Sequence, residues 1–272
     1  MTNENRYALI TGASQGFGKL LALELARRNI NVLLVALPGE QIHFVADECR
    51  KIGVQAEAYE TDLTNREELL KMTEWVNNHF KIFILINNAG LGGTRIFHTS
   101  ELKYIETLIH LNVVATSIIT HQLLPNLLQQ PWGYILNVSS MASFSPIGFK
   151  TVYSSTKRYI QHFSRALNQE LKNTSVSVSV VLPGPMKTNS EIIDRIEKQG
   201  ILGKIGLTCP YRAAKVSIDR LFREKPFILV GRRNHINRFM LALIPSGYRM
   251  SLMTRAARRE IDKKTDLNQS MK

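Results

Sequence analysis

Short apolar segments alternate along the chain with longer segments in which apolar and polar positions follow a helical period. Seven segments are short and apolar enough to be strands: 7–11, 31–36, 55–60, 82–87, 134–139, 176–182 and 227–231. Six others have helical periodicity: near 17–28, 39–52, 65–79, 101–128, 152–172 and 210–224. This alternation predicts an α/β fold, a doubly wound parallel sheet of about seven strands with helices on both faces. Several predicted strands are apolar at every position, as a sheet buried on both faces requires.

No repeat or low-complexity linker divides the chain before about residue 231. We therefore predict a single domain over residues 1–231 in a chain of 272 residues, which is long enough to bury a sizeable core. The remainder differs in composition. Residues 231–272 hold ten Lys and Arg against three Asp and Glu, in a chain of net charge +13. We interpret residues 232–272 as a basic, amphipathic, helical C-terminal extension.

Composition also limits the compartment. Cys49 and Cys209 are too far apart in sequence to indicate a disulfide framework or a metal site, which favours a reducing environment and no bound metal. The first residues lack the basic and apolar regions of a signal peptide, and no run of 18 apolar residues predicts a spanning helix. The expectation is a cytoplasmic protein, with peripheral contact at a membrane surface as an open alternative.

The first predicted strand ends in a glycine-rich turn, TGASQGFG, over Thr11–Gly18. Gly12, Gly16 and Gly18 stand where the strand turns into a helix, so the backbone can bend tightly and approach a pyrophosphate. The helix N-terminus adds unpaired N–H groups and the positive end of its dipole. The spacing differs from the usual Gly-x-Gly-x-x-Gly, yet its place after the first strand predicts a nucleotide site.

Polar residues follow other predicted strands as well. The sequence NNAG, Asn87–Gly90, ends the fourth strand, and Asp62 follows the third. Each alone is typical of a turn. Because ligands bind beyond the carboxyl ends of parallel strands, their repetition at one edge of the sheet favours a common binding site.

The pattern Tyr-x-x-x-Lys occurs twice, at Tyr153–Lys157 and at Tyr211–Lys215. Residues four apart share one face of a helix, so either pair could act together. A pattern this short is also expected by chance in a chain of this composition. The pairs therefore cannot be told apart without their surroundings.

Taken together, the motifs resemble those of the short-chain dehydrogenase/reductase family. The resemblance covers residues 6 to about 231 and rests on motifs in the family's order: TGASQGFG, NNAG, Asn112 in HLNVVA, Ser140 in NVSS, YSSTK, and PGPMKT at 183–188. It implies a Rossmann-like fold and a catalytic tetrad of Asn112, Ser140, Tyr153 and Lys157. It also makes Tyr153–Lys157 the active pair, while Tyr211–Lys215 is interpreted as ordinary surface sequence.

The chemistry of these side chains agrees with the resemblance. A Tyr phenol has a pKa near 10, and a cation held nearby favours its phenolate. Tyr153 is therefore expected to be the general acid in reduction and the general base in oxidation. Ser140 would hydrogen-bond the substrate oxygen. The resemblance further implies that Lys157 holds the nicotinamide ribose and that Asn112 anchors a water linking Lys157 to solvent.

The resemblance also carries over a set of cofactor contacts. They are Gly12, Ser14, Gln15, Gly16, Phe17, Gly18, Asp62, Leu63, Asn88, Ala89, Gly90, Tyr153, Lys157, Pro183, Gly184, Met186 and Thr188.

The choice between NAD and NADP depends on the end of the second strand, where an acid repels a 2′-phosphate and an Arg attracts it. Here Ala36 takes the position of the acid and Leu37 that of the Arg, while Gln15 fills another common basic position. Since the repelling carboxylate is missing, NADP(H) is weakly favoured over NAD(H). Glu40, which follows closely, opposes that preference.

The resemblance implies that the segment after the sixth strand, roughly 185–209, covers the substrate. It holds seven apolar residues: Ile192, Ile193, Ile196, Ile201, Leu202, Ile205 and Leu207. They indicate either a lipophilic alcohol or ketone as substrate, or simple packing on the core. The extension has an apolar helical stripe with arginines nearby. It could be a helix docked on the domain, a membrane-binding segment or an oligomer contact.

Two functional classes remain open at this point. The first is an NAD(P)(H)-dependent oxidoreductase that interconverts a carbonyl and a secondary alcohol. The second is a cofactor-binding regulatory or interaction protein without catalysis, which a degraded tetrad would favour. The tetrad is complete in this sequence, so we prefer the enzyme. The resemblance implies homodimers or homotetramers that pair helices 101–128 and 152–172, and no nucleic-acid partner is expected.

Overall fold

The computed structural model describes residues 6–188, 190–198 and 206–261, and it contains a seven-stranded, all-parallel sheet. The strands are β1 (Arg6–Thr11), β2 (Asn31–Ala36), β3 (Ala56–Glu60), β4 (Lys81–Asn87), β5 (Gly133–Val138), β6 (Val176–Leu182) and β7 (Phe227–Leu229). Their order is β3-β2-β1-β4-β5-β6-β7. The predicted doubly wound fold is therefore confirmed. The strand order reverses between β1 and β4, and the crevice beyond their carboxyl ends is the expected ligand site.

Helices cover both faces of this sheet. They are α1 (Gly16–Ala26), α2 (Ile42–Ile52), α3 (Arg66–His79), α4 (Leu102–Ile109), α5 (Thr116–Leu128), α6 (Thr151–Glu170), α7 (Ser190–Lys198), α8 (Pro210–Leu221), α9 (Arg232–Leu243) and α10 (Ser246–Arg258). The sequence pattern located all six predicted helices to within a few residues, the sixth being α8.

Two hydrophobic cores lie on opposite faces of the sheet, because successive side chains of a strand point to opposite sides. Ile10 of β1 packs in the core that α1, α2 and α8 cover, and its neighbour Leu9 packs in the core beneath α3 and α5. All six residues of β2 are buried. Burial on both faces explains why the strands read as continuous apolar runs.

The predicted helix 101–128 is interrupted in the structure. Between α4 and α5 lies a six-residue π-helical turn, His110–Ala115, in which the backbone takes the wider i→i+5 hydrogen-bond register. Such turns are common at functional sites, and this one contains Asn112.

The stretch Leu102–Leu128 is also long enough and apolar enough to cross a membrane, with a mean hydropathy of 1.3. The sequence-based expectation concerned an uninterrupted run of 18 apolar residues, whereas this stretch meets a criterion of mean hydropathy. Ile119, Leu123 and Leu127 are buried in the core beneath α5, so the stretch covers the sheet as a core helix does. That packing explains the apolar residues on the inner face of the stretch.

The segment expected to cover the substrate is only partly described. Ile192, Ile193 and Ile196 belong to α7, where Ile196 is buried and the other two are half-buried. Leu207 is half-buried as well. Ile201, Leu202 and Ile205 lie outside the described residues.

Two helices, α9 and α10, follow β7 and pack against the domain. Strand β7 ends at Leu229, two residues before Gly231, whose φ is +89°. The strand is therefore shorter than the predicted 227–231. In α10 the Thr254 Oγ1 accepts a hydrogen bond of 2.9 Å from the N–H of Gly148, and Ala256 and Ala257 are buried. Of the three alternatives for the extension, a helix docked on the domain is the one that these contacts of α10 fit.

Candidate active site

The glycine-rich turn between β1 and α1 packs directly against the NNAG segment after β4. A Cβ atom on Gly12, whose φ is +64°, would lie 2.8 Å from the Cα of Ala89. A Cβ on Gly18 would overlap the carbonyl oxygen of Gly12. Only glycine fits at these two positions, so the loop keeps an open backbone surface at the helix N-terminus, which suits a pyrophosphate.

Thr11 and Asn88 bind these two segments together. The Thr11 Oγ1 accepts hydrogen bonds of 3.0 Å from the N–H groups of Asn88 and Ala89. The Asn88 Nδ2 donates to the carbonyl oxygens of Thr11 and Gly12, both at 3.0 Å. Thr11 was not among the predicted site residues. Its role depends on a segment 77 residues away, and the only sequence signal was a hydroxyl at the strand's end.

The PGPMKT segment after β6 closes the other side of the groove. A Cβ on Gly16 would lie 3.7 Å from the Cβ of Thr188, which brings Thr188 beside the glycine-rich turn. Pro183 accepts a hydrogen bond of 3.1 Å from the N–H of Met141, next to Ser140. A Cβ on Gly184 would overlap the carbonyl oxygen of Gly206, so this segment is tightly held. Met186 packs partly against the core.

At the adenosine end of the groove, Ala36 is buried and Leu37 is exposed. The Ser14 Oγ donates a hydrogen bond of 2.5 Å to Glu40, so a carboxylate does stand beside the glycine-rich turn. Asp62 accepts hydrogen bonds from the N–H and hydroxyl of Thr64, at 2.8 and 2.7 Å, in a local turn. The position after β3 is thus a structured turn beside the groove.

Two of the predicted cofactor contacts have side chains that are not available to a ligand. Phe17 and Leu63 are buried in the two cores, at the start of α1 and after β3. A cofactor could therefore meet only their backbone groups. Gln15, the residue before α1, is exposed, so its side chain is free to approach a ligand.

Lys157 lies on the buried face of α6, at the carboxyl edge of β5. Its Nζ donates a hydrogen bond of 3.0 Å to the carbonyl oxygen of Val138, and its own carbonyl oxygen accepts one of 2.7 Å from the Ser139 Oγ. Burial lowers the pKa of Lys157 from 10.5 to about 8, because desolvation penalises the ammonium. Ser139, which fixes the backbone of α6, was not predicted from sequence.

Asn112 connects the π-helical turn to the catalytic helix. Its Oδ1 accepts from the N–H of Leu91 at 2.9 Å, and its Nδ2 donates to the Leu91 carbonyl oxygen and the Thr156 Oγ1, both at 3.0 Å. Thr156 in turn donates to the carbonyl oxygen of Tyr153 at 2.9 Å. A Cβ on Gly90 would lie about equally close to the Asn112 Oδ1 and the Lys157 Nζ, at 3.0 and 3.1 Å. Gly90 therefore lies between the two side chains.

Tyr153 and Ser140 complete the group. The Tyr153 ring lies against Gly92, where an added Cβ would come within 3.3 Å of its Cε2 atom. Ser140 follows β5, and its Oγ accepts a hydrogen bond of 3.1 Å from the N–H of Ala142. Both side chains are half-buried, so they are reachable from solvent.

The second Tyr-x-x-x-Lys pair is elsewhere. Tyr211 is 64% exposed at the start of α8, and Lys215 is exposed as well. Neither packs at the carboxyl edge of β4 and β5. This placement agrees with the interpretation of the pair as surface sequence.

A cleft of about 520 Å³ lies between the loop after β4, helix α4 and the end of the extension. Its lining mixes apolar and polar side chains, among them Leu91, Ile96, Tyr104, Lys103 and Ile261. Glu260 also lines it and pairs with Lys150, which precedes α6, at 2.8 Å. The Thr94 hydroxyl donates to the same carboxylate. The extension therefore forms one wall of this cleft.

Comparison with known proteins gives consistent relatives. The family described as short chain dehydrogenase matches residues 6–198. The chain is 31% identical to the 3-oxoacyl-(acyl-carrier-protein) reductase FabG of Aquifex aeolicus, over 86% of this chain and 96% of that one. It is 30% identical to the very-long-chain 3-oxoacyl-CoA reductase of Anas platyrhynchos, over 70% of this chain and 62% of that one.

Among solved structures, the short-chain dehydrogenase from Sphingobium yanoikuyae in complex with NADPH superimposes with a TM-score of 0.74 at 27% identity. That match covers 89% of this chain and 96% of the other. The family match extends over more than half of the chain and includes every motif from the glycine-rich turn to PGPMKT. The chain therefore belongs to the short-chain dehydrogenase/reductase family of NAD(P)-dependent oxidoreductases acting on CH–OH groups.

Proposed function

We propose that this protein interconverts a ketone and a secondary alcohol on a lipophilic substrate, using NADP(H), with Tyr153 as general acid and base. The observation that carries the proposal is the hydrogen-bonded path from Leu91 through Asn112 and Thr156 to Tyr153. It joins the loop after β4 to the backbone carbonyl oxygen of Tyr153 and so holds the first turns of α6 against the edge of the nucleotide groove. Gly12 and Gly18 accept no Cβ, so the glycine-rich turn packs closely at the N-terminus of α1, where a dinucleotide's pyrophosphate would bind.

The bound nicotinamide would supply or accept a hydride at the substrate carbon. In reduction, the Tyr153 hydroxyl donates its proton to the substrate oxygen, and in oxidation its phenolate removes that proton. Ser140 donates a hydrogen bond to the same oxygen and stabilises its developing charge. The Lys157 ammonium, four residues along α6, favours the phenolate form of Tyr153. Asn112 holds a water through which Lys157 exchanges protons with solvent.

The proposed substrate is a 3-oxoacyl thioester or a similar ketone with an apolar chain. Two relatives named as 3-oxoacyl reductases, at 31% and 30% identity, support this class. The mixed lining of the cleft, with Leu91 and Ile261 beside Lys103 and Thr99, suits a substrate that has both an apolar and a polar part.

NADP(H) is the proposed cofactor because Ala36 carries no charge to repel a 2′-phosphate. The NADPH complex of the Sphingobium relative supports the same choice. Glu40, hydrogen-bonded to Ser14, is a carboxylate next to the glycine-rich turn and opposes this preference. Glu40→Gln should therefore strengthen NADPH binding, and Ala36→Asp should shift the preference to NADH.

The test is a panel of 3-oxoacyl thioesters and simple ketones, assayed with NADPH and with NADH. We expect turnover of the acyl substrates with NADPH at least as good as with NADH, and nucleotide affinities from fluorescence titration in the same order. A clear preference of the unmodified protein for NADH would contradict the cofactor assignment. Nucleotide binding without turnover of any carbonyl compound would favour the alternative of a non-catalytic regulatory protein.

Assembly and location are proposed on similar grounds. Exposed apolar side chains lie on the two segments, 101–128 and 152–172, that the family pairs between subunits. They are Leu102 on α4, Ile109 at its end, Leu128 on α5 and Tyr159 on α6. We therefore propose a homodimer or homotetramer formed through these helices, in the cytoplasm. Size-exclusion chromatography with light scattering would measure the mass directly, and a monomer at micromolar concentration would contradict the proposal.

A further inference from the structure

Helix α9 exposes its apolar face to solvent and packs its polar face on the domain, the reverse of an ordinary surface helix. Such helices bury their apolar stripe and expose their polar face. In α9 the apolar residues Ile236, Phe239, Met240 and Leu243 recur at the spacing of a single helical face, and each is 56–65% exposed. Four large apolar side chains on one face form a patch of the kind that marks an interaction site.

The opposite, polar side of α9 holds it to the domain. Asn234 is buried and its Nδ2 donates to the carbonyl oxygens of Val230 and Gly206, at 2.6 and 3.1 Å. The Arg238 guanidinium lies over the rings of Phe144 and Phe227, at 5.4 and 4.7 Å from their centroids. These contacts fix the rotation of the helix about its axis. The apolar stripe is therefore directed outward by specific interactions.

The charges around the stripe identify what covers it. Between Glu224 and Glu260 the sequence contains seven arginines and no Asp or Glu. Arg233 is exposed and precedes Ile236 by three positions, so it borders the stripe, and Arg255, Arg258 and Arg259 are exposed on or next to the last turn of α10. A second copy of the chain would bring like charges together, which disfavours self-association through this face. An anionic surface is attracted to it.

We propose that α9 binds the surface of an anionic lipid bilayer, with the stripe Ile236, Phe239, Met240 and Leu243 inserted among the acyl chains and Arg233 at the headgroups. This goes beyond the proposed reaction and does not depend on it. The bilayer would hold the protein next to membrane-dissolved substrates.

The test is co-sedimentation of the full chain with phosphatidylcholine vesicles that contain phosphatidylglycerol, at low salt. Removing residues 232–272 is unsuitable, because α10 packs on the domain through Thr254 and Ala256. Phe239→Ser should instead weaken binding at least about tenfold, since it removes an aromatic ring that would be buried in the bilayer. Leu243→Ser is a second, independent variant. Thermal melts should be unchanged for both, because the side chains are exposed.

Phe44→Ser is the matched control. Phe44 is 65% exposed, as is Phe239, but it lies on α2 beside Asp47 and Glu48. It should bind vesicles like the unmodified protein. Arg233→Gln should reduce binding about fivefold, as expected from one basic residue near an anionic surface, and added salt should weaken all binding.

Three results would overturn the proposal. They are absence of sedimentation at low salt, equal losses for Phe44→Ser and Phe239→Ser, and a dimer in analytical ultracentrifugation that Phe239→Ser dissociates. The last would assign the stripe to a second copy of the chain. Equal binding to vesicles of pure phosphatidylcholine would contradict the part assigned to the arginines.

Discussion

Tyr153 and Tyr211 have the same sequence relation to a lysine, and the structure separates them. Tyr153→Phe removes the proposed proton donor and should reduce turnover by roughly 10²–10⁴, the usual contribution of general acid–base catalysis. Tyr211→Phe alters a side chain that is 64% exposed on α8 and should leave turnover unchanged. Steady-state kinetics of the two variants checks this. Similar losses in both would show that the catalytic pair has been misassigned.

Lys157 gives the reaction a pH dependence of predictable sign. Its pKa is lowered to about 8 by burial, so it is mostly ammonium below that pH and neutral above it. In the free enzyme kcat/KM for reduction should therefore fall as pH rises through about 8. The neutral amine no longer stabilises the phenolate that Tyr153 becomes as it donates its proton, so Tyr153 is a weaker acid.

The stability of the unliganded protein should change in the opposite direction. Between about pH 8 and 10.5 the unfolded chain holds a proton on Lys157 that the folded chain has released, so the free energy of unfolding should rise with pH in that window. Urea unfolding of the unmodified protein and of Lys157→Met at pH 7.5 and 9.5 measures it. An activity loss that paralleled a loss of stability would indicate general denaturation instead.

The sequence indicated the proposed catalytic side chains but not the residues that position them. Tyr153 and Lys157 are four positions apart on one helix, so their relation can be seen in the sequence itself. Thr11, Ser139 and Thr156 act through hydrogen bonds to distant segments, such as the one from Asn112 to Thr156 across 44 residues. Threonine and serine are common in turns and helices, so their type alone gave no signal.

Gly18 of α1 and Gly247 of α10 are both helical glycines, and they have different surroundings. A Cβ on Gly18 would overlap the carbonyl oxygen of Gly12, whereas one on Gly247 meets nothing within 4 Å. Gly18→Ala should destabilise the protein by about 1–3 kcal/mol, as overpacking does, and should abolish nucleotide binding. Gly247→Ala should stabilise it by up to about 1 kcal/mol, because Ala favours helix. Chemical denaturation with nucleotide titration compares them, and equal effects would contradict the packing argument.

The elements themselves were predictable to different degrees. Buried parallel strands leave continuous apolar runs, so β1, β2 and β4 were located to within a residue. The π-helical turn at His110–Ala115 was missed, because a change of hydrogen-bond register leaves the spacing of apolar residues almost unaltered. The outward stripe of α9 was visible in sequence, but its direction was not. It depends on Asn234 and Arg238, whose partners are in other elements.

The ion pair between Lys150 and Glu260 joins the C-terminal extension to the start of α6. The Glu260 side chain is 1% exposed and that of Lys150 is 14% exposed. Glu260→Gln removes the carboxylate that pairs with this largely buried ammonium and should cost about 3–5 kcal/mol. Because Glu260 lines the cleft, KM for long acyl substrates should rise while kcat for short ketones changes little.

The matched control is Glu48→Gln, which breaks the Lys19–Glu48 pair. These side chains are 32% and 43% exposed, so the loss should be at most about 1 kcal/mol, without effect on KM. Thermal melts and kinetics over a series of acyl chain lengths measure both variants. A Glu260→Gln protein with unchanged KM for every chain length would show that the extension does not shape the substrate cleft.

The same ion pair has a consequence for the order in which the protein gains its structure. Lys150 and Glu260 are 110 residues apart in sequence, and Thr94 and Glu260 are 166 apart, so these contacts carry a large loop-closure cost. The sheet and the nucleotide groove need no residue of α10. A folding chain would thus be able to hold its cofactor before it can enclose a substrate. In native-state hydrogen exchange, the amides of Ala256 and Ala257 should open at lower denaturant than those of β1, and simultaneous opening would show that the domain and its extension fold as one unit.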